Sequence, residues 1–176
     1  MAQIAEVVWY ATGRFYTQGT KLFDVGYFLH LQGIAAPLFD GKISESRALF
    51  TFAAEPFDSP SIPNGSLTIG VDLRGRFSLY LREQAGASFD DPSSFSQGRR
   101  IATFERVSIV PTVKIDTLLS NVFTARLLES TPFEYAGTAY DLRELIGYGI
   151  TQWGTASADA MSTTGVPFVG SAVRVG

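Results

Sequence analysis

Two runs of alternating apolar and polar residues, separated by a single glycine, constrain the fold of this chain more than any other feature. Ser66–Arg74 alternates throughout, and Arg76–Arg82 repeats the pattern with Phe77 and Leu79 among its inward residues. Side chains of a β-strand point alternately to its two faces, so this period indicates strands that bury one face each. We predict that the two runs pair as a hairpin through a tight turn at Asp72–Arg76.

Similar short strand patterns recur along the chain, while helical signals are few and short. Asp116 could cap one turn at Thr117–Ser120, and Thr138 could open a short helix at Ala139–Ile146. Eight or nine short strands favour a barrel or a sandwich over a βαβ fold. We therefore predict an all-β fold, a single domain over residues 1–176, built as an antiparallel β-barrel of about eight strands. A β-sandwich is the alternative.

A barrel is preferred because closure removes exposed strand edges, which this sequence does little to protect with charge. In architecture alone, such a barrel is similar to the calycin-type and allene oxide cyclase-like barrels. The diagnostic motifs of both families are missing from the sequence, so the resemblance implies a shape and no residue roles.

The composition limits the partners of the chain. Its net charge is −3, and charged residues make up 18% of its 176 residues, against about 25% in average domains. We expect no nucleic-acid partner, because no basic surface is available to bind phosphates. No apolar run approaches the ~20 residues of a membrane-spanning helix, and no signal peptide is evident. The sequence therefore predicts a soluble, cytoplasmic protein without a membrane partner.

Motifs of cofactor and metal sites are missing from the sequence. There is no cysteine, no nucleotide-binding glycine pattern and no nucleophile elbow. With one histidine, a multi-histidine metal centre is excluded. Asp90 and Asp91 form the only adjacent acidic pair, and solvated charge explains them better than ligation. We predict no cofactor and no metal.

His30 lies in the segment Val25–Ile34, which is apolar on both faces and so suits a strand covered on both sides. Tyr27, Leu29 and Leu31 form the more apolar face, which predicts that they point to the core and that His30 points away. His30 is a candidate general base or ligand contact, since its pKa lies near neutrality. A structural or interface role is the alternative.

Glu105 is the second candidate catalytic residue. In Arg100–Val110, alternation places Ile101, Thr103, Glu105, Val107 and Ile109 on the inward face, whereas both arginines of the segment fall on the other face. A carboxylate among β-branched residues would need a partner or a raised pKa, as general acids and bases often have. A bulge near Thr103 that turns Glu105 outward, or a buried ion pair with an arginine, is the competing interpretation.

Aromatic residues are the candidate ligand contacts. They are spread over several predicted strands, namely Trp9, Tyr10, Phe50, Phe52, Phe104, Tyr148 and Trp153. In a hollow barrel they would form the walls of a pocket for an apolar or aromatic molecule. In a filled barrel they would pack against one another.

Two further features have local consequences. Gly13 inside the first strand predicts a bulge or a sharp bend. The polar stretch Gln84–Gly98 is longer than most connections, so we predict a mobile or functional segment, such as a lid over the mouth of the barrel.

Two functions fit these observations. The first is a small-molecule-binding barrel with an apolar, aromatic pocket, either a carrier or a cofactor-independent cyclase, isomerase or lyase. The second is a non-enzymatic structural or interaction protein, a homo-oligomer whose excess apolar surface is interface. Homo-oligomerisation is expected in both, from the low charge density and the segment Val25–Ile34.

Overall fold

A computed structural model describes residues 6–58, 60–65, 67–70, 75–107, 110–115, 117–157 and 165–176, with only the backbone at 61, 67–70 and 110–115. Within those ranges the chain forms thirteen strands, one α-helix and two short 3-10 helices. The strands are β1 Val7–Gln18, β2 Lys21–Leu31, β3 Phe50–Ala54, β4 Ser61–Asn64, β5 Leu67–Gly70, β6 Arg76–Leu81, β7 Arg99–Arg106, β8 Val110–Ile115, β9 Leu118–Ser130, β10 Phe133–Tyr135, β11 Thr138–Tyr140, β12 Gly149–Ser157 and β13 Val166–Val175. The helix α1 is Leu142–Ile146, and the 3-10 helices are Glu45–Arg47 and Pro92–Ser96.

Eight strands close into an antiparallel barrel in the order β12-β13-β1-β2-β3-β6-β7-β9, completed by the pairing of β9 with β12. The predicted all-β barrel is confirmed. One edge of β9 is shared, because its C-terminal half pairs with β7 and its N-terminal half with β8. Through β8 the sheet continues into β5 and β4, which extend from one end of the barrel.

The pairing of β5 with β6 that the sequence predicts is wrong. β5 lies between β4 and β8, whereas β6 lies between β3 and β7. Alternation identifies a strand and its buried face but carries no information about its neighbour. The inward assignment of Phe77 and Leu79 on β6 is confirmed, since both are buried in the core. Of the predicted turn Asp72–Arg76, residues 72–74 are outside the described ranges, and Arg76 begins β6. The side-chain positions of β5 are also not described.

Aromatic side chains fill the interior of the barrel, and two glycines make room for them. Gly13 on β1 faces Gly26 on β2. A Cβ atom on Gly13 would approach the Phe168 ring to 2.8 Å, and one on Gly26 would approach the Phe52 ring to 2.6 Å. The predicted bulge at Gly13 is wrong, because the register of β1 runs through it without a shift. Gly13 is required by the close approach of the Val25 carbonyl oxygen, which a Cβ at this position would overlap, and of the Phe168 ring.

Helical structure is sparse, and one of the two predicted helices is wrong. Residues 118–120 begin the long strand β9, and Asp116 is outside the described ranges. The second helix forms as the shorter α1, capped by Asp141, whose side chain accepts a hydrogen bond from the Arg143 backbone N–H at 2.9 Å. Thr138 lies in β11 instead. No described helix is long and apolar enough to cross a lipid bilayer.

The segment 84–98 packs against the outer wall of the barrel. Phe95 is fully buried in a cluster with Phe89 and with Val25 of β2. The Thr51 hydroxyl donates a hydrogen bond to the Phe95 carbonyl oxygen at 2.6 Å, and the Tyr16 hydroxyl donates one to the Phe89 carbonyl oxygen at 2.8 Å. These rings anchor the segment to the barrel wall, and its predicted mobility stays a prediction.

This segment also explains the two-sided apolar character of β2. The outer face of β2 near Val25 is covered by the chain itself, which confirms a strand covered on both sides there. Further along, Leu29 and His30 are exposed. The cover at Val25 therefore needs no second subunit.

Candidate functional site

Beyond Ile101, the inward face of β7 is opposite to the one that the sequence suggests. Leu79 pairs with Ala102 and Tyr80 with Arg100, so Ile101 is an extra, bulged residue. A bulge shifts the phase of alternation. Ile101 is buried as predicted, but beyond it Phe104 and Arg106 also lie in the interior. The prediction that Arg106 points away from the interior is therefore wrong, and Ser108 and Ile109 are outside the described ranges.

Glu105 lies on the outer face of β7, between arginines of the neighbouring strands. Its carboxylate accepts hydrogen bonds from Arg126 at 2.6 and 2.9 Å and lies 3.7 Å from the Arg76 guanidinium. Its side chain is 17% exposed, and both arginines are at least half exposed. The inward orientation inferred from alternation is therefore wrong. Glu105 points outward after a bulge, as the first alternative holds, and its ion pairs lie on the outer face rather than in the interior. Such exposed pairs contribute little to stability.

Arg106 places a charge inside the barrel, where it forms an ion pair with Asp24 of β2. The two side chains are 6% and 9% exposed, and Arg106 Nη2 donates a hydrogen bond to Asp24 Oδ1 at 2.9 Å. Asp24 points inward because it shares a face of β2 with Gly26 and Phe28. A buried charge is costly unless it is paired, so each residue makes the burial of the other tolerable.

Three phenylalanine rings surround the Arg106 guanidinium. Its carbon atom Cζ lies 4.6 Å from the ring centroid of Phe57, 5.1 Å from that of Phe123 and 5.5 Å from that of Phe77. The faces of aromatic rings are electron-rich and attract a cation. The cage and Asp24 therefore both stabilise the positive charge.

One nitrogen of this guanidinium has no hydrogen-bond partner. Among the described residues, only two buried side-chain polar atoms are unsatisfied, Gln32 Oε1 and Arg106 Nη1. Arg106 lines an interior space of about 20 Å³, together with Trp9, Ala11, Asp24, Phe28, Phe52, Phe77, Phe123 and Gln152. This volume has room for one water molecule. A larger guest requires movement of the surrounding side chains.

The remaining polar group of this space is the amide of Gln152. Its Oε1 accepts a hydrogen bond from the Trp9 indole Nε1 at 3.0 Å. This bond satisfies the only polar atom of a tryptophan that is otherwise enclosed by Phe28 and Phe104, at ring-centroid distances of 5.4 and 5.6 Å. The space thus has apolar aromatic walls and three polar residues, Arg106, Asp24 and Gln152.

The predicted ligand contacts fall into two groups. Trp9, Phe50, Phe52 and Phe104 are buried, and Tyr10, Tyr148 and Trp153 are exposed on the outside. Of the buried four, only Trp9 and Phe52 line the space beside Arg106. Phe50 packs near the other end of the barrel against Phe133 and Tyr135. The structure therefore does not bring the seven aromatic residues together.

His30 is exposed on β2 and does not approach Glu105. Ala11 pairs with Phe28 and Tyr10 with His30, so Leu29 is a bulged residue. Leu31 is buried as predicted, but Phe28 is buried too and Leu29 is exposed. The predicted core face is wrong for Leu29 and also for Tyr27, which packs against Phe89 in the outer cluster. The His30 ring lies 5.9 Å from that of Tyr10. β3 and β6 separate His30 from Glu105 on β7.

A second cavity is an open groove outside the barrel, with a volume of about 570 Å³. Its lining includes Phe39, Asp40, Arg47, Gln84 and Tyr135. Arg47 and Asp40 satisfy each other at 3.4 Å and are both largely exposed. Burial raises the pKa of Tyr135 above its usual value, and its hydroxyl donates a hydrogen bond to the Pro37 carbonyl oxygen. No buried polar group in this groove lacks a partner.

One pattern in the sequence indicates the interior site. Asp24 is in phase with Phe28, and Arg106 is in phase with Phe104. A charged residue in phase with large aromatic residues on two strands indicates a buried ion pair. Phe57 has no such signal, because it lies in an irregular connection and reaches Arg106 only through tertiary structure.

No cluster of three acidic or histidine side chains suited to a metal ion is found in the described part of the chain. Comparison with known proteins gives no relative from which to transfer a function. No family model, no curated protein and no solved structure matches the chain.

Proposed function

We propose that this protein binds a small, largely apolar molecule at the end of its barrel that contains Arg106. The observation that carries the proposal is the free N–H of Arg106, in a side chain only 6% exposed and inside an aromatic cage. Unsatisfied buried donors are rare in folded proteins and occur at sites that receive a ligand or water. Small-molecule sites are typically apolar and aromatic, with a few polar groups that fix orientation.

A guest larger than water requires displacement of part of the aromatic filling. Phe57 is the side chain best placed to move. It lies in the connection between β3 and β4 and is only partly buried. Two backbone hydrogen bonds to Leu22, of 2.9 and 2.8 Å, hold it to β2. The other cage rings project from β6 and β9, which are strands of the barrel wall.

The site also carries groups for cofactor-independent chemistry of the cyclase, isomerase or lyase type. A guanidinium donor stabilises negative charge that develops on a substrate oxygen. The Asp24 carboxylate beside it accepts or returns a proton. In this proposal Asp24 and Arg106 take the catalytic roles that the sequence suggested for Glu105 and His30. A carrier uses the same site for binding alone.

The test uses the two tryptophans of the chain. Trp9 lines the site and Trp153 is 49% exposed, so the variant W153F has Trp9 as its only indole. Titration with cumene, a compact aromatic hydrocarbon, should shift the Trp9 emission in a saturable way. The matched variant W9F retains the exposed indole and should show no shift. Native mass spectrometry of freshly purified protein should detect a retained small molecule. No saturable shift and no retained mass would refute the proposal.

A second candidate function is a homo-oligomeric interaction protein, and one surface favours it. Two adjacent rows on the outer face of β12, β13 and β1 carry no charge: Trp153, Ser171 and Tyr10, and next to them Thr155, Val169 and Thr12. Trp153, Tyr10 and Val169 are about half exposed. Sedimentation velocity tests this proposal, because W153E should dissociate an oligomer formed through this face. A monomeric wild type at high micromolar concentration would refute it.

A further inference from the structure

We propose that the molecule recognised beside Arg106 is a neutral carbonyl compound, whose oxygen accepts a hydrogen bond from Arg106 Nη1. This inference rests on the proposed binding function and specifies its ligand class. It follows from the hydrogen-bonding capacity of the site, from its charge balance and from the chemistry of its walls.

The Arg106 guanidinium requires a hydrogen-bond acceptor on the guest. A guanidinium has five N–H donors and no acceptor. One nitrogen, Nη2, is bound to Asp24, and Nη1 has no partner among the described residues. A hydrocarbon guest would leave that donor buried and unsatisfied, which is unfavourable. A guest with an acceptor oxygen beside Nη1 supplies the missing hydrogen-bond partner.

The charge balance disfavours an anion. Asp24 already compensates the single positive charge of Arg106 at 2.9 Å. A carboxylate guest would bring a second negative charge into a space with only one cation, and an uncompensated buried charge is strongly unfavourable. The guest is therefore neutral.

The walls lead to the same conclusion. Phe77 and Phe123 present rings to the guanidinium within 5.5 Å and also line the interior space. Aromatic ring faces carry negative partial charge, so they repel an anion placed among them. They pack well against an apolar ring or chain, so the carbonyl group is attached to an apolar body.

The experiment compares three probes of nearly equal size by isothermal titration calorimetry. Acetophenone, cumene and benzoate each carry three heavy atoms on a phenyl ring, and differ in that these atoms form a ketone, an alkyl group or a carboxylate. Acetophenone should bind at least about tenfold more tightly than cumene, as expected for one hydrogen bond from a charged donor. Benzoate should bind most weakly.

Asp24→Asn supplies the decisive control, since the amide has nearly the same shape without the negative charge. In D24N the Arg106 charge lacks its counterion, so benzoate should become the tightest of the three probes. The double variant D24N/R106M removes both charges and should lose the preference for acetophenone over cumene. It also keeps the test valid if D24N folds poorly, and circular dichroism verifies the fold of each variant.

Phe57→Ala tests access to the site. Removal of the ring over the guanidinium should speed association of acetophenone about tenfold in stopped-flow measurements and leave the order of the probes unchanged. F57L is the conservative alternative. Equal association rates in F57A, F57L and wild type would show that access lies elsewhere and would overturn this part of the inference.

The outcomes separate the two proposals. Equal binding of acetophenone and cumene, or tightest binding of benzoate to the wild type, would overturn the carbonyl inference and leave the binding function intact. If none of the three probes binds to wild type or to F57A and native mass spectrometry detects no retained molecule, the binding function itself is refuted, and the inference fails with it. If none binds but a molecule is retained, only the carbonyl inference is overturned.

Discussion

Replacement of Arg106 by methionine tests the interior ion pair through its effect on stability. The change removes the guanidinium and keeps a flexible apolar side chain of related length. Asp24, only 9% exposed, then remains as a buried carboxylate without a cation. Removal of one partner of such a pair typically costs about 3–5 kcal/mol. The contacts with three phenylalanine rings are lost as well, so we expect the upper half of that range.

The same reasoning predicts a large recovery in the double variant D24N/R106M. With both charges gone, no buried ion remains, and replacements of whole pairs are often near neutral. We expect the double variant to be at least about 2 kcal/mol more stable than R106M. For a chain of this size, a loss of 3–5 kcal/mol corresponds to a decrease in Tm of roughly 6–20 °C.

Urea unfolding followed by circular dichroism measures both effects, provided that the slope m stays constant across the variants. The four proteins of the cycle are wild type, D24N, R106M and the double variant. The reasoning is refuted if R106M costs less than about 1 kcal/mol. It is also refuted if the cost of the double variant equals the sum of the single costs, because independent residues add in this way.

Three further predictions address other parts of the molecule. Glu105→Gln should change stability by less than about 1 kcal/mol and leave probe binding unchanged, because its ion pairs are on the surface; a larger loss in urea unfolding would contradict its placement. Burial raises the pKa of Tyr16 to about 12, from 10.0. The stabilisation that the buried, neutral Tyr16 provides is therefore present below pH 10 and lost as pH rises through 12. The Tm of Y16F should fall less steeply than that of the wild type over that interval. Identical declines would show that Tyr16 is not buried by the segment containing Phe89. Gly26→Ala should cost about 1–3 kcal/mol or more, because the new Cβ would overlap the Thr12 carbonyl oxygen and lie 2.6 Å from the Phe52 ring; wild-type stability in urea would contradict this packing.

The existence of strands was predictable from local pattern, and their partners were not. Arg76–Arg82 buries the residues that its alternation indicates, because burial depends on the strand's own period. The neighbours of β6 are β3 and β7, and both pairings join strands whose connection is much longer than a hairpin turn. The single glycine before β6 suggested a local hairpin that long-range pairing replaced.

Two β-bulges explain why the candidate site was not predicted from the sequence. Bulges at Ile101 and Leu29 change the phase of β7 and β2 along their length. When a period of two is continued through a bulge, one half of the strand is assigned to the wrong face. Glu105 was thus placed inside and Arg106 outside. The choice between a filled and a hollow barrel was also beyond the sequence, since both use apolar residues at inward positions.

The pairing of β1 with β13 has a consequence for how the barrel is made. About 150 residues separate the end of β1 at Gln18 from the start of β13 at Val166. At a synthesis rate of about 5–20 residues per second, β13 leaves the ribosome roughly 7–30 s after β1. Throughout that interval one edge of β1 has no strand to pair with, and unpaired edges of this kind promote aggregation. Closure of the barrel is therefore a late, non-local event, which predicts slow folding for a chain of this size.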